Sequence, residues 1–228
     1  MGKKYILWDF DNTLAYRNGM WGQVIYELLR ESDYKDVELN DIKKYLNHGF
    51  PWHSPNTPHT ELFKGSPWWE YMTLHFTNIL REIGVEENLS YKVASQIKVK
   101  YLDVTQWQLY DDTIPCLEMA KSKGFQNVIV SNHVPELSLL VDEIGLSRFF
   151  ERIYSSADIG FEKPNIQVYK YVLSELSDVC ETTMIGDSYD ADVLGALKAG
   201  INAILVRKEN SHNYKQYCKS LVDVFEFL

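Results

Sequence analysis

The sequence contains few cysteines and no long apolar run, and both absences restrict what it can be. Its three cysteines, Cys116, Cys180 and Cys218, are far apart and match no metal-binding or disulfide spacing. We therefore expect free thiols, buried or half-buried, in a reducing compartment. No stretch approaches the roughly 20 apolar residues of a membrane span, and the apolar run near the N-terminus is too short for a signal peptide. These absences predict a cytoplasmic protein without a membrane partner.

Positive charge is also scarce, with 23 Lys and Arg residues against 32 Asp and Glu residues and a net charge of −9. Nucleic-acid binding requires clustered basic residues, so we expect no nucleic-acid partner. An acidic protein can still bind an anionic substrate if a metal ion and one or two cationic side chains reverse the field locally. The 228 residues suffice for one core domain that carries a smaller lobe.

Short apolar segments rich in β-branched residues alternate with segments of helical periodicity over much of the chain. Because buried strands that alternate with helices form βαβ units, this order predicts an α/β fold with a parallel sheet flanked by helices. The predicted strands are residues 5–8, 128–130, 153–154, 183–185 and 203–206. The predicted helices are residues 115–123, 135–144, 166–176 and 191–199.

One region interrupts this alternation. Between about residues 16 and 108 the sequence shows no convincing strand, only helical stretches at residues 21–30, 67–83 and 89–104. These stretches flank a segment, residues 49–65, that is crowded with proline, tryptophan and histidine. We predict an α/β core of residues 1–15 and 109–228, with a helical lobe of residues 16–108 inserted after the first strand.

Two carboxylates, Asp9 and Asp11, come directly after the first predicted strand. Side chains two apart on an extended segment point the same way, so these carboxylates can share one side of the strand end. Close carboxylates repel, and a bound cation or a raised pKa relieves the repulsion. Such a pair can supply a nucleophile beside a general acid. Taken alone, the pair is equally compatible with a solvated acidic turn.

Three further polar segments also follow predicted strands. The first contains Ser131 and Asn132, which could bind an anion at a helix N-terminus or serve as ordinary helix caps. The second contains Lys163, which could neutralise phosphoryl charge or lie on a solvated surface. The third contains Asp187 and Asp192, whose hard oxygen ligands suit Mg²⁺. Because the carboxyl ends of parallel strands line one crevice, we expect all these segments to meet there.

The ordered set of segments resembles the four motifs of the haloacid dehalogenase-like hydrolase superfamily, in its phosphatase type. The resemblance spans the whole chain, and the inserted helical lobe is similar to the helical cap of that family. It implies a Rossmann-like core that carries a cap domain. The matching positions are Asp9, Asp11, Thr13, Ser131, Lys163, Gly186, Asp187 and Asp192.

The resemblance also implies catalytic and metal-binding roles. Asp9 would attack phosphorus to form an aspartyl-phosphate, while Asp11 would protonate the leaving oxygen and later activate water. Mg²⁺ would lie against the Asp9 carboxylate, the Asp11 backbone carbonyl and the Asp187 carboxylate. Asp192 would contact the ion through a water molecule.

The phosphoryl oxygens would contact Ser131, Asn132 and Lys163, and the cap would determine specificity. Aromatic side chains at helical spacing usually form a lobe's own core, so we expect that role for most cap tryptophans. The exceptions are Trp52, His53 and His59, which lie in the proline-rich segment and are predicted to face the substrate. His133, next to Asn132, is a further candidate to reach the crevice.

The predicted function is Mg²⁺-dependent hydrolysis of a small phosphorylated metabolite by a monomer or homodimer. Asp11 disfavours the dehalogenases of the family, which lack a carboxyl group at this position. A phosphonate-cleaving relative would need a Schiff-base lysine in the cap, where Lys43, Lys44, Lys64, Lys92, Lys98 and Lys100 are expected on solvated faces. A sugar-phosphate mutase would use the same Asp9 and Asp11. A binding module without activity is a further alternative.

Overall fold

The computed structural model describes residues 2–62 and 65–228. The strands are β1 (Lys3–Trp8), β2 (Ala15–Arg17), β3 (Trp107–Leu109), β4 (Phe125–Ser131), β5 (Arg152–Ser155), β6 (Val179–Gly186), β7 (Asn202–Val206) and β8 (Tyr217–Cys218). The α-helices are α1 (Met20–Glu31), α2 (Leu39–Tyr45), α3 (Ser66–Glu82), α4 (Glu87–Tyr101), α5 (Thr113–Ser122), α6 (Leu137–Glu143), α7 (Ser156–Ile159), α8 (Ile166–Glu175) and α9 (Gly195–Lys198).

Six parallel strands form the central sheet in the order β5-β4-β1-β6-β7-β8. Alternate side chains of β1 point to opposite faces: Ile6 and Trp8 join one hydrophobic cluster, while Tyr5 and Leu7 join another. A strand that is buried on both faces explains why its sequence is continuously apolar. The predicted α/β fold with a parallel sheet is confirmed.

The helical segment lies between β2 and β3 and contains α1 to α4. Its interior is aromatic: the Trp21 ring stacks on the Tyr101 ring with centroids 3.7 Å apart, and Trp68 and Phe76 are buried nearby. The expectation that most cap tryptophans form a core is confirmed, because Trp21, Trp68, Trp69 and Trp107 are all buried in it. The domain boundaries at 16 and 108 stay a prediction.

Three predictions of local structure were wrong. Strands β2 and β3 form an antiparallel ribbon at the two ends of the inserted segment, where no strand was expected. The helix predicted over residues 191–199 is a π-helical stretch, Tyr189–Leu194, followed by the short α9. The strands β2 and β3 were missed because a three-residue strand is too short for a period-two pattern to show. Cys180 is exposed rather than buried, although all three thiols are free as expected.

Several short elements were not predicted at all. Helix α2 has seven residues and buries only Ile42, and β8 has two residues, so neither carries a readable periodicity. The 3₁₀ turns are Pro51–His53, Thr60–Leu62, Val104–Gln106, Ser147–Phe149 and Leu221–Glu226. Within the described ranges, none of the helices combines the length and the apolar character that crossing a membrane requires.

Candidate active site

Asp9 lies at the carboxyl end of β1 and is buried. Its backbone N–H donates to the Ile185 carbonyl at 2.9 Å, so the end of β1 is aligned with the end of β6. Its Oδ1 accepts hydrogen bonds from Ser131 Oγ at 2.9 Å and from Lys163 Nζ at 2.8 Å. Its Oδ2 accepts from Thr13 Oγ1 at 3.2 Å. The ends of β1 and β4 and the loop after α7 therefore converge on one carboxylate.

Lys163 links Asp9 to a second carboxylate. The Lys163 ammonium is 2% exposed and also lies 2.6 Å from Asp192 Oδ1. Burial by itself lowers the pKa of a lysine, but the neighbouring Asp192 and Asp9 carboxylates raise the pKa of Lys163 above its ordinary value. The lysine is therefore a permanent cation between two anionic groups, where phosphoryl charge would also be neutralised.

Asp9, Asp187 and Asp192 form an acidic cluster in which one oxygen from each lies within 4.8 Å of the others. Burial, followed by the nearby Asp9 charge, raises the pKa of Asp187 even though Lys208 Nζ lies 2.6 Å from its Oδ2. Burial likewise raises the pKa of Asp192 above that of an ordinary aspartate, against the Lys163 charge. Three buried carboxylates of this kind fit a divalent cation with a preference for oxygen ligands.

Gly186 provides the space in which this cluster forms. A Cβ atom at this position would collide with the Asp192 carboxylate. The Asp192 Oδ2 accepts from the Ser188 backbone N–H at 2.9 Å, so both of its oxygens have protein partners. Asp192 is therefore better suited to orient the site than to bind a metal ion directly, and its contact with an ion through water stays a prediction.

Asp11 lies beside the cluster and differs from Asp9 in its environment. Burial, followed by the Asp9 and Asp187 charges, raises the pKa of Asp11 well above its usual range. The His133 imidazole is close by, with its Nε2 3.6 Å from Asp11 Oδ1. Burial lowers the pKa of His133 to about 4, so the imidazole is neutral at neutral pH. Asp11 is thus a carboxyl group suited to carry a proton beside the hydrogen-bonded Asp9 carboxyl group.

The Asn132 side-chain amide forms two hydrogen bonds with the Lys163 backbone. The Asn132 Oδ1 accepts from the Lys163 backbone N–H at 2.7 Å, and its Nδ2 donates to the Lys163 carbonyl at 2.9 Å. This two-point contact holds the backbone from which the Lys163 ammonium extends, and the peptide bond that follows, Lys163-Pro164, is cis. A phosphate contact by Asn132 stays a prediction, and the amide itself has a positioning role.

The three predicted specificity residues are placed in the proline-rich segment of the cap. Trp52 stacks on Phe50 with centroids 4.7 Å apart, and His53 Nδ1 accepts from the Phe50 backbone N–H at 3.3 Å. His59 donates its backbone N–H to the Gly160 carbonyl at 2.8 Å. Among the described residues, no hydrogen bond or ion pair joins these three side chains to the acidic cluster. Their role in specificity stays a prediction.

The cap and the core are connected by several polar contacts. Trp69 Nε1 donates to Glu136 at 2.8 Å, and Lys98 Nζ lies 2.6 Å from the same carboxylate. On the other side, Asn165 Nδ2 donates to the Pro55 carbonyl at 2.8 Å. These contacts hold the cap against the carboxyl ends of the core strands.

The cap lysines that the structure describes lie on exposed or half-buried faces, which does not favour a Schiff-base role. Lys43, Lys44 and Lys92 are exposed, as expected. Lys98 and Lys100 are only half-buried and form ion pairs with glutamates. Lys64 lies outside the described residues.

Two basic residues near the site, Arg207 and Lys208, were not predicted from the sequence. Arg207 Nε donates to the Thr13 carbonyl at 3.1 Å, and its Nη atoms donate to Asp112 at 2.6 and 3.1 Å. Asp112 also accepts from Ser220 Oγ and from the Leu221 backbone N–H. Arg207 and the missed cation, Lys208, directly follow β7, so the rule that found the other segments also applied to them. Nothing in the local sequence distinguishes these two basic residues from surface residues.

Residues 3–200 match the family model described as haloacid dehalogenase-like hydrolase. The chain therefore belongs to this family, and it is an enzyme of the phosphatase type. It is 34% identical to a phosphoglycolate phosphatase from Aquifex aeolicus over 205 residues, 89% of this chain and 84% of that relative. It is 29% identical to a glyceraldehyde 3-phosphate phosphatase from Methanothermobacter thermautotrophicus over 138 residues, 59% of this chain and only 61% of that relative.

Solved structures support the fold. The chain resembles the HAD-hydrolase YfnB from Bacillus subtilis, whose crystal structure is bound to magnesium, with a TM-score of 0.77. The alignment covers 100% of this chain and 99% of that one at 20% identity. The sequence-based prediction of family, Rossmann-like fold and enzyme class is confirmed.

Proposed function

We propose that the chain hydrolyses a small phosphate monoester with Mg²⁺ as its cofactor and Asp9 as its nucleophile. The observation that carries this proposal is the contrast between the two carboxylates: Asp9 accepts three hydrogen bonds, whereas Asp11 has a strongly raised pKa. One group is held for attack and the other is suited to carry a proton. The relatives named for glyceraldehyde 3-phosphate and phosphoglycolate support a small substrate.

In the first half-reaction, a bond forms between an Asp9 oxygen and phosphorus while the bond to the leaving oxygen breaks. Asp11 donates its proton to that leaving oxygen. In the second half-reaction, water attacks phosphorus, the Asp9–phosphorus bond breaks, and the proton of water returns to Asp11. Ser131 and Thr13 hold the nucleophile, and Lys163 neutralises the negative charge that spreads over the phosphoryl group.

The residues that would hold Mg²⁺ are the Asp9 and Asp187 carboxylates and the Asp11 backbone carbonyl, with Asp192 nearby. When bound, the ion supplies positive charge that lets an anionic nucleophile approach an anionic ester. The protein itself contributes the oriented, buried carboxylates.

The test is a screen of sugar, nucleotide and organic-acid phosphates, with free phosphate as the readout, in Mg²⁺ and in EDTA. We expect turnover with Mg²⁺, loss with EDTA and recovery when Mg²⁺ is added back. Asp9→Asn should abolish turnover, and wild-type enzyme quenched during turnover should carry one phosphoryl group on Asp9 by mass spectrometry. Asp33→Asn, a change of an exposed cap aspartate, is the matched control. Undiminished turnover by Asp9→Asn would refute the nucleophile assignment.

A sugar-phosphate mutase would use the same two carboxylates, so the screen includes a hexose 1-phosphate with its bisphosphate. Appearance of the isomeric monophosphate would identify a mutase, whereas free phosphate identifies a phosphatase. An absence of both products, together with an unlabelled Asp9, would indicate a binding module.

A further inference from the structure

Two side chains that have no part in the mechanism above, His133 and Tyr101, contact one another beside Asp11. The His133 Nε2 atom is 3.6 Å from Asp11 Oδ1 and 3.4 Å from the Tyr101 hydroxyl oxygen. His133 and Tyr101 are each 1% exposed. Asp11 Oδ1 is buried, and none of the described residues forms a hydrogen bond with it. One imidazole nitrogen therefore lies between a cap hydroxyl and the carboxyl group that is proposed to transfer the proton.

Packing fixes both of these rings. The Tyr101 ring stacks on Trp21 at an interplanar angle of 1° and meets Trp107 edge-on at 88°. Trp107 Nε1 donates to the Tyr101 carbonyl at 3.1 Å, which ties the end of α4 to β3. The His133 ring meets Phe10 edge-on at 88°.

The His133 backbone is fixed as well. The His133 N–H donates to Ser156 Oγ, and its carbonyl accepts from Ser155 Oγ at 2.6 Å. Neither the phenol nor the imidazole can turn away without disturbing a packed neighbour.

We infer that His133 and Tyr101 are positioning residues for the Asp11 carboxyl group and thereby couple the cap to the proton-transfer step. An N–H at His133 Nε2 that points at Asp11 Oδ1 from 3.6 Å attracts this oxygen, favours one plane of the carboxyl group and leaves its other oxygen for the leaving group. The Tyr101 hydroxyl oxygen, at the end of helix α4, accepts from the same N–H at 3.4 Å and holds the imidazole in that orientation. Because Tyr101 belongs to the inserted segment, Asp11 is positioned only while that segment lies against the core.

This inference depends on the proposed acid role of Asp11, and the leaving group of the substrate separates the two. An alkyl phosphate needs its leaving oxygen protonated, whereas p-nitrophenolate leaves readily without a proton. Replacing a residue that positions the acid should therefore lower kcat/KM for glycerol 3-phosphate and leave kcat/KM for p-nitrophenyl phosphate nearly unchanged. Replacing a residue that only supports the fold should lower kcat/KM for both esters equally.

The experiment compares kcat/KM for these two esters in five variants. Tyr101→Phe and His133→Asn should each lower the value for glycerol 3-phosphate about 10- to 100-fold, part of the 10²- to 10⁴-fold that a general acid contributes. Both variants should keep p-nitrophenyl phosphate within about threefold. His133→Gln, whose amide nitrogen can take the place of Nε2, should restore most of the alkyl activity. Tyr34→Phe removes a cap hydroxyl that contacts the exposed Gly84 carbonyl and is the matched control.

Asp11→Asn provides the reference for the leaving-group effect. If Asp11→Asn loses alkyl activity selectively but Tyr101→Phe and His133→Asn do not, the positioning inference is wrong and the acid role stands. If Asp11→Asn lowers both esters equally, the acid role itself is wrong. An equal loss of both esters in Tyr101→Phe, with an unchanged melting temperature, also overturns the inference.

Discussion

The ammonium group of Lys163 lies 2.8 Å from Oδ1 of Asp9, and no more than 2% of the lysine is exposed to solvent. The same ammonium contacts Asp192, so one cation compensates two buried anions. Removing one partner of a buried ion pair typically costs about 3–5 kcal/mol, because the remaining charge has no partner. The site therefore depends on Lys163 for its stability as well as for its proposed chemistry.

Lys163→Met should accordingly lower the free energy of unfolding by about 3–5 kcal/mol and abolish turnover. Urea titration monitored by circular dichroism measures the first effect, and phosphate release measures the second. Lys170→Met removes an exposed lysine from α8 and should change neither quantity. A Lys163→Met variant as stable as the wild type would show that Asp9 and Asp192 tolerate each other without this cation.

Lys208 would compete for Asp187 with the metal ion proposed for the acidic cluster. Its ammonium lies 2.6 Å from Asp187 Oδ2, an oxygen that a cation in the acidic cluster would need. The Lys208 side chain is 60% exposed, so its attraction is limited to about 1 kcal/mol or less. Lys208→Met should therefore tighten Mg²⁺ binding by about fivefold or less, as measured by isothermal titration calorimetry.

The exposed Lys215→Met makes the same change in net charge and should leave the Mg²⁺ affinity unchanged. Weaker binding by Lys208→Met would mean that the lysine assists the ion instead of competing with it.

Glu162 should make stability depend on pH. It is 1% exposed, and burial raises its pKa to about 7 from an ordinary value of 4.5, against the Ser156 hydrogen bond and the Lys163 charge. Between these two values the unfolded chain releases the proton and the folded chain retains it, so ionisation disfavours folding as the pH rises. The penalty is absent below pH 4.5 and complete above pH 7.

Glu162→Gln removes this penalty. Relative to the wild type, the variant should gain up to about 3 kcal/mol of stability as the pH rises from 4.5 to 7. Chemical denaturation at a series of pH values measures the difference, and the exposed Glu175→Gln corrects for the loss of a charge. A difference that is constant across this range would contradict the prediction.

Asn165 connects the proline-rich segment of the cap to helix α8. Its Nδ2 donates to the Pro55 carbonyl, while its Oδ1 accepts from the Gln167 N–H at the start of the helix. Asn165→Asp keeps the acceptor for Gln167 and removes the donor to Pro55. Hydrogen exchange should therefore become faster over residues 51–60, including the His59 amide that donates to the Gly160 carbonyl, while α8 keeps its protection.

Asn165→Ala loses both contacts, so its exchange should also increase in the first turn of α8. Unchanged exchange over residues 51–60 in both variants would mean that the Pro55 contact does not hold the cap in place.

The sequence predicts the central sheet and the meeting of polar side chains at the ends of its strands. Buried parallel strands are apolar along their whole length, and side chains that follow such strands meet at one edge, so Asp9, Ser131 and Asp187 could be brought together from sequence. The contact between Lys163 and Asp192 could not, because it depends on a π-helical turn whose periodicity resembles that of an α-helix over so few residues.

The contact between Tyr101 and His133 could not be predicted from the sequence either. The two residues are 32 positions apart and meet only because the cap packs on the core. A buried tyrosine on an amphipathic helix predicts a core position and carries no sign of a polar partner.

The Arg207–Asp112 contact has a consequence for how relatives of this chain should be compared. The family match ends at residue 200, yet Arg207 holds the Thr13 carbonyl, and Asp112 gathers Ser220 and the Leu221 amide around the same guanidinium. Residues 201–228 therefore help to shape the turn that follows Asp9. A chimera that exchanged this tail with that of a relative would keep every proposed catalytic residue and would still displace the turn after Asp9, unless the arginine, the aspartate and the serine were exchanged together.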